Sequence, residues 1–328
     1  MHKYLICLVL LLPTALQAVD LNRGDYRGRS DVAAFIAEVA AETDYREAEL
    51  VDLFSRVNHQ RHLFERMDKP AEKLKWHQYR RIFLTDKRTD AGVRFWNEHK
   101  TLLQQVEQAY QVPPEIIVAI VGVETFYGTY KGKAPVFDTL VTFAFDYPKR
   151  AKFFRRELKE FLILSRENQL DTRAIMGSYA GAMGMPQFIS SSYRAYAVDF
   201  DGDGSVNLFD SLPDILGSVA NYFKRHGWQP GGPVAARITA TDARAAANAE
   251  TSMKPEQDWQ ALRKVGFSSG QPIDDTLPVA LLRLEQKEGL EYWAGFDNFY
   301  VITRYNHSPL YAMAVLQLSE AIKRKAGL

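Results

Sequence analysis

Glu124 ends a nearly all-apolar run, Pro113-Pro114-Glu115-Ile116-Ile117-Val118-Ala119-Ile120-Val121-Gly122-Val123-Glu124-Thr125-Phe126-Tyr127-Gly128. Proline at the start, a carboxylate in the first turn and glycine at the end punctuate a helix. Apolar on every side, that helix is expected to be buried. A carboxyl group held there loses hydration, which favours its neutral form and raises its pKa. A carboxylic acid still protonated near neutral pH is what donating a proton to a glycosidic oxygen requires. A buried Glu satisfied by a salt bridge or by backbone donors would read the same way, so the run alone leaves both meanings open.

A second chemistry-bearing segment is Asp199-Phe200-Asp201-Gly202-Asp203-Gly204-Ser205-Val206-Asn207-Leu208-Phe209-Asp210. Oxygen-bearing side chains alternate along it, and a glycine occupies the sixth position, where an EF-hand calcium loop must turn sharply. Ser190 to Val198 and Ser211 to His226 both read as helices, which supplies the helix-loop-helix context. Asp199, Asp201 and Asp203 would contribute carboxylates and Ser205 its carbonyl oxygen. The closing ligand is either Asp210 or Asp214. Asp214 also fits a capping pair with Ser211. A turn of the same composition that binds no metal is the plain alternative.

The third segment, Gly177-Ser178-Tyr179-Ala180-Gly181-Ala182-Met183-Gly184-Met185-Pro186-Gln187-Phe188, lets a backbone approach a ligand closely, with Ser178 and Gln187 offering polar groups. It lacks the Gly-Lys-Ser/Thr ending of a phosphate loop, and its plain reading is a tight turn between helices.

Other elements must hold these segments in place. The chain has 328 residues and a formal charge of +1, which argues against a general polyanion binder. Met1-His2-Lys3, the apolar run Tyr4 to Leu12 and the small residue Ala18 make a secretory signal over residues 1–18. Cys7 lies inside its apolar core and is not placed to be a lipidated first residue; beyond it the chain has no cysteine. Apolar stripes at Asp31 to Ala40, Glu47 to Val57, Gly92 to Tyr110, Pro148 to Glu167 and Tyr311 to Arg324 predict helices. Asp31 is expected to cap the first. Lys149, Arg150 and their neighbours give one helix a basic face, whose plain reading is solvation. After Pro230-Gly231-Gly232-Pro233 the pattern changes. Ala235 to Ala240, Pro278 to Leu284, Glu291 to Gly295 and Phe299 to Thr303 read as strands. The expected architecture is mainly α with a small β-rich portion (α+β).

Val121-Gly122-Val123-Glu124-Thr125, Gly181-Ala182-Met183-Gly184 with Gln187-Phe188, the Asp199 loop and Thr303-Arg304-Tyr305-Asn306-His307-Ser308 occur in that order. Together they resemble the lytic murein transglycosylase B family of bacterial cell-wall enzymes, over roughly Asp31 to Lys325. The resemblance implies a lysozyme-like helical core with a flanking helical domain, a small β domain and an EF-hand-like loop. The domains follow as a signal peptide at 1–18, a helical domain at 19–75 with the helix at 307–328 packing back on it, a catalytic core at 76–228 with its calcium loop at 199–214, and a β-rich portion at 229–306. It implies cleavage of the β-1,4 bond between N-acetylmuramic acid and N-acetylglucosamine in peptidoglycan without water, leaving 1,6-anhydromuramic ends. Glu124 matches the family's single acid/base. Sugar contacts fall on Ser178, Gln187, Tyr79, Tyr222, Tyr305, Asn306 and Tyr311, while Lys149 and Arg150 would face the stem peptide. The calcium ligands fall on Asp199, Asp201, Asp203 and Ser205, with Asp214 favoured to close the loop. No organic cofactor, nucleic acid or membrane span is expected. A periplasmic monomer is, working on glycan strands and stem peptides, with other cell-wall enzymes as candidate partners.

A glycosidase normally uses two carboxylates, and no acidic partner with a motif of its own accompanies Glu124; Asp138 and Asp146 are the closest in sequence. A hydrolytic muramidase on the same scaffold and an inactive, calcium-clipped wall-binding protein are the competing readings. No zincin histidine pair is present.

Overall fold

The computed structural model describes residues 21–327, so the expected signal peptide lies outside the described residues. The chain divides into two compact units, one ending at His59 and the other beginning at Gln60. That break falls earlier than the expected boundary at residue 75.

The first unit holds α1 (Ser30–Glu42) and α2 (Glu47–Ser55). Val32, Ile36, Val39, Leu50 and Phe54 form its core, each with no exposed surface. Asp31 is not the cap of α1. Arg29 takes that position with no capping bond from its side chain to the helix backbone, and Asp31 sits in the first turn, ion-paired with Arg29 at 2.7 Å.

The second unit opens with α3 (Phe64–Asp68), the short 3-10 turn Ala71–Lys73, α4 (Trp76–Phe83), α5 (Asp86–Glu98), α6 (Lys100–Tyr110) and α7 (Pro114–Thr125). The stripe read as one helix from Gly92 to Tyr110 is two, because His99 leaves helical geometry at φ −118, ψ 21. Its ring sits edge-on to Phe95. Then come β1 (Ala134–Pro135), α8 (Val136–Asp146), α9 (Ala151–Glu167), β2 (Met176–Gly177), α10 (Ser190–Tyr196) and α11 (Leu212–Arg225). α8 is buried along almost its whole length. Its rings stack with those of α9, Phe143 on Phe154 at 4.8 Å and Phe137 on Phe161 at 6.4 Å.

The remainder carries β3 (Ala235–Ala240), α12 (Ala243–Asn248), β4 (Gln257–Asp258), α13 (Trp259–Lys264), β5 (Phe267–Ser269), β6 (Pro278–Glu285), β7 (Leu290–Gly295), α14 (Asp297–Tyr305) and α15 (Pro309–Ala326). Five of the strands make an antiparallel sheet in the order β4-β6-β7-β3-β5. Register pairs Leu281 with Ala294 and Ala236 with Ala294, which aims one face at Trp259, Leu262 and Phe267. The strand expected at Phe299 to Thr303 is helix α14. A short apolar run fits either period. Here the Asn298 side chain decides, bonding the backbone of Gln229 and Gly232 and anchoring a first turn that also carries Asp297.

α7 is the centre of this unit, with Ile117 to Val121 wholly buried. A helix apolar all round needs cover on every side. α5, α6, α11 and α15 provide it, and α15 packs most heavily. α15 also packs on α5 and α4. Burying each Ile or Val of α7 contributes roughly 1.5–3 kcal/mol. Among the described residues no helix is long and apolar enough to cross a membrane.

Candidate active site

Glu124 lies in the last turn of α7. The helix is not ended by glycine: Phe126 and Tyr127 adopt left-handed backbone at φ 51 and φ 56, ahead of Gly128. Such strain in non-glycine residues persists only where surroundings enforce it. Here Tyr127 Oη donates to the Arg88 carbonyl at 3.0 Å. Its ring fills space that exists only because Gly92 and Gly122 lack side chains, since a Cβ on either would lie 2.5 or 2.6 Å from Tyr127 Oη. Thr125 Oγ1 donates to the Met185 carbonyl at 3.1 Å and accepts from Gly128 at 3.0 Å. The end of α7 is thereby tied to the glycine-rich segment.

Glu124 keeps part of its surface accessible, as a group that must meet substrate has to. Enough protein still crowds its carboxyl to remove most hydration. Burial pushes its pKa up to about 7, a bond from Tyr311 opposes the rise, and the charge of Glu72 adds to it. Tyr311 Oη donates to Glu124 Oε1 at 2.6 Å. Tyr311 is held by the first turn of α15, where Ser308 Oγ accepts from its backbone N–H. Tyr305 lies parallel to Tyr311 with centroids 6.3 Å apart, and its hydroxyl donates to the Pro186 carbonyl at 2.6 Å. Tyr79, on α4, is buried, and desolvation together with the charges of Glu72 and Glu124 drives its pKa upward. Tyr79, Tyr305 and Tyr311 thus stay neutral around Glu124 and make its surroundings poor in water. Tyr222 stands one ring back, edge-on to Tyr305 at 4.9 Å, with its hydroxyl on the Arg304 carbonyl.

Ser178 and Gln187 meet in a groove of about 440 Å³, lined also by Arg66, Tyr130, Lys133 and Tyr179. Ser178 Oγ accepts from the N–H groups of Ala180 and Ala182 at 3.2 and 3.0 Å, which leaves its own proton to donate. Gln187, at φ 53, spends its amide hydrogens on the carbonyls of Lys131 and Gly184 and so still offers Oε1 as an acceptor. The basic pair expected to face a stem peptide lies just before α9. Lys149 pairs with Asp68 at 2.6 Å, and the Arg150 guanidinium lies over Phe153 and Phe154 at 4.2 and 5.4 Å. The arginine and lysine lining the groove are Arg66 and Lys133. Neither they nor Glu72 carried a motif, because only the fold brings residues 60–72, 130–135 and 176–187 together.

Asp199, Asp201 and Asp203 bring carboxylate oxygens within 4.8 Å of one another between α10 and α11. Bonds from the N–H groups of Gly204, Gly202 and Asp203 hold the Asp199 carboxyl below the usual range, so it is ionised. An all-oxygen donor set with no His or Cys suits a hard cation such as calcium or magnesium, so these residues fit one. The Ser205 N–H donates to Asp203 at 2.8 Å. Asp214 is not in that group of three. It is 1% exposed, and its two oxygens each accept at 2.8 Å, from the N–H groups of Phe200 and Asn207, clasping the loop from inside. Its backbone N–H meets Ser211 Oγ at the start of α11, the capping pair expected. Asp210 is drawn to Lys131 at 3.4 Å.

Residues 27–320 match the family described as the transglycosylase SLT domain. The chain is 40% identical over 309 residues to the membrane-bound lytic murein transglycosylase B of Escherichia coli, covering 91% of this chain and 84% of that protein. A catenated lytic transglycosylase of Pseudomonas aeruginosa is similar in structure, with a TM-score of 0.87 and 46% identity over 92% of this chain and 100% of the other. A lytic transglycosylase of Escherichia coli solved in complex with calcium gives a TM-score of 0.87 and 39% identity over 95% of this chain and 99% of the other. The mainly helical, lysozyme-like architecture expected from the sequence is the one these structures share.

Proposed function

The chain belongs to the transglycosylase SLT domain family and is a lytic murein transglycosylase that cleaves the glycan strands of peptidoglycan, and on that premise we propose that Glu124 alone supplies both the acid and the base of the reaction. Protonated Glu124 donates to the oxygen joining N-acetylmuramic acid to N-acetylglucosamine, and the bond from the muramic C1 to that oxygen breaks. The sugar's own N-acetyl oxygen stabilises the positive charge left at C1, with the Ser178 hydroxyl steadying it. Glu124, now a carboxylate, takes the proton from the O6 hydroxyl, and O6 bonds to C1. The 1,6-anhydro ring closes, no water is consumed, and Glu124 is protonated again. Because the nucleophile is part of the substrate, orientation replaces the entropy cost of recruiting one.

The observation that carries this reading is Glu124's carboxyl, poised at about 7 among neutral tyrosines and touched by Tyr311. Such a group can donate and accept a proton in one turnover near neutral pH. The sugar would be held by Ser178, Gln187, Tyr79, Tyr305, Asn306 and Tyr311, with Tyr222 supporting from behind. Glu72 is the observation that favours the runner-up, hydrolysis, since a second carboxylate near the acid could serve as a base for water. Glu124→Gln should release no soluble fragments from sacculi yet still bind them, and wild-type products should be one water lighter than hydrolysed ends. Wild-type turnover in Glu124→Gln would remove Glu124 from the mechanism.

The Asp199, Asp201 and Asp203 carboxylates with the Ser205 carbonyl would hold calcium as a structural clip. For Asp214 to close that site, it would share an oxygen now bonded to an amide. Export through residues 1–18 fits an enzyme whose substrate lies in the periplasm.

A further inference from the structure

Glu72 belongs to the 3-10 turn Ala71–Lys73 just before α4, and its Oε1 accepts from Asn306 Nδ2 at 3.2 Å across 234 positions of sequence. Asn306 closes α14 with extended backbone, φ −135 and ψ 122, in the link that leads to Tyr311. A carboxylate accepts and does not donate, so the Asn306 amide must turn its nitrogen to Glu72. Its Oδ1 is then the group left for another donor. Glu72 is only part-exposed, and among the described residues no Lys or Arg pairs with it. Its charge bears on Glu124, on Tyr79 of α4 and on Tyr179 of the glycine-rich segment, so Glu72 stands near all three. A half-buried carboxylate without a cation is unfavourable for stability, and such departures gather at working sites.

We propose that Glu72 is a positioning residue for glycosidic cleavage, orienting Asn306 so that its Oδ1 accepts from an N–H or O–H donor on the sugar. The proposal rests on Glu124 being the proton donor. Facing Glu124 are Tyr311 from α15, Tyr305 from α14, Tyr79 from α4 and Glu72. Three of these are tyrosines, and Glu72 is the one other carboxylate. Its repulsion helps Glu124 keep its proton.

The test compares Glu72→Gln, Glu72→Ala, Asn306→Ala and the Glu72→Ala/Asn306→Ala double variant on soluble glycan strands over a range of pH. Glu72→Gln keeps an acceptor for Asn306 but loses the charge. Its alkaline limb of kcat/KM should move to lower pH, while KM stays within about twofold of wild type. Glu72→Ala should show the same limb movement and a KM raised about five- to tenfold, as expected for losing one hydrogen bond. The double variant should be no worse in KM than Glu72→Ala alone, because the two residues act as one unit. Fixed limbs in both Glu72 variants, or KM losses that simply add, would overturn the proposal. Anhydro products from every variant leave the role of Glu124 intact whatever becomes of Glu72. Hydrolysed ends from the wild type would strike down ring closure by O6, a failure separate from that of Glu72.

Discussion

Replacing Glu124 with glutamine should stabilise the protein, and by an amount that depends on pH. The Glu124 pKa rises from 4.5 to about 7 on folding, with burial as the main cause. At about 1.4 kcal/mol per unit, ionising the folded carboxyl costs at most about 3 kcal/mol. Part of the residue still reaches solvent, and the residual screening brings the expected figure nearer about 2 kcal/mol. The sign follows from proton binding: between 4.5 and about 7 the folded state holds more protons at this site than the unfolded state. Stability from this group therefore falls as pH rises through that window and levels off above it. Glutamine cannot ionise and can still accept from Tyr311, so any difference from the lost carboxyl itself is constant with pH. Urea unfolding of wild type and Glu124→Gln should give a stability difference that grows in the variant's favour across the window, then plateaus. A difference flat in pH would show that Glu124 ionises as an ordinary glutamate and would falsify the account of its environment. Sites that lose stability to keep a reactive group poised are the usual place for such a trade.

Tyr311→Phe removes the bond that opposes the rise of the Glu124 pKa. The alkaline limb of kcat/KM should move to higher pH while kcat drops about tenfold, as the carboxylate loses a charge-assisted bond; pH-rate profiles check both directions. If the Asp199 loop binds calcium, about a hundredfold excess over Kd adds about 3 kcal/mol of stability. Tm by calorimetry should climb with added Ca2+, fall with chelator, and respond to neither in Asp201→Asn. Gly184 has φ +69, and a Cβ there would lie 2.4 Å from the Leu208 carbonyl oxygen. Gly184→Ala should cost about 2–4 kcal/mol in urea unfolding, because backbone has to move to make room.

Much of the site was legible because its chemistry is local. The run from Pro113 to Glu124 announces both its helix and its odd carboxylate, and alternating aspartates around Gly202 announce the acidic triad. What escaped is what depends on distant partners. α8 has no polar face to set a period, since its neighbours cover nearly every side. α14 was read as a strand because its apolar run is short, and the Asn298 anchor that makes it a helix comes from contacts 66 and 69 residues away. The end of α7 was assigned to Gly128, yet Phe126 and Tyr127 make the turn in a space two helical glycines leave open. Glu72 and Arg66 lie in a stretch with no strong pattern and acquire meaning only beside Asn306 and Ser178. Lys149 and Arg150, conspicuous in the sequence, have partners that no local pattern announces, Asp68 and aromatic rings.

The most direct test is to digest purified sacculi in water enriched in heavy oxygen and weigh the released fragments. Ring closure by O6 predicts anhydromuramic ends carrying no label, and none released by Glu124→Gln. Label at the newly formed muramic ends would mean that water attacks C1, and the single-carboxyl mechanism would be wrong.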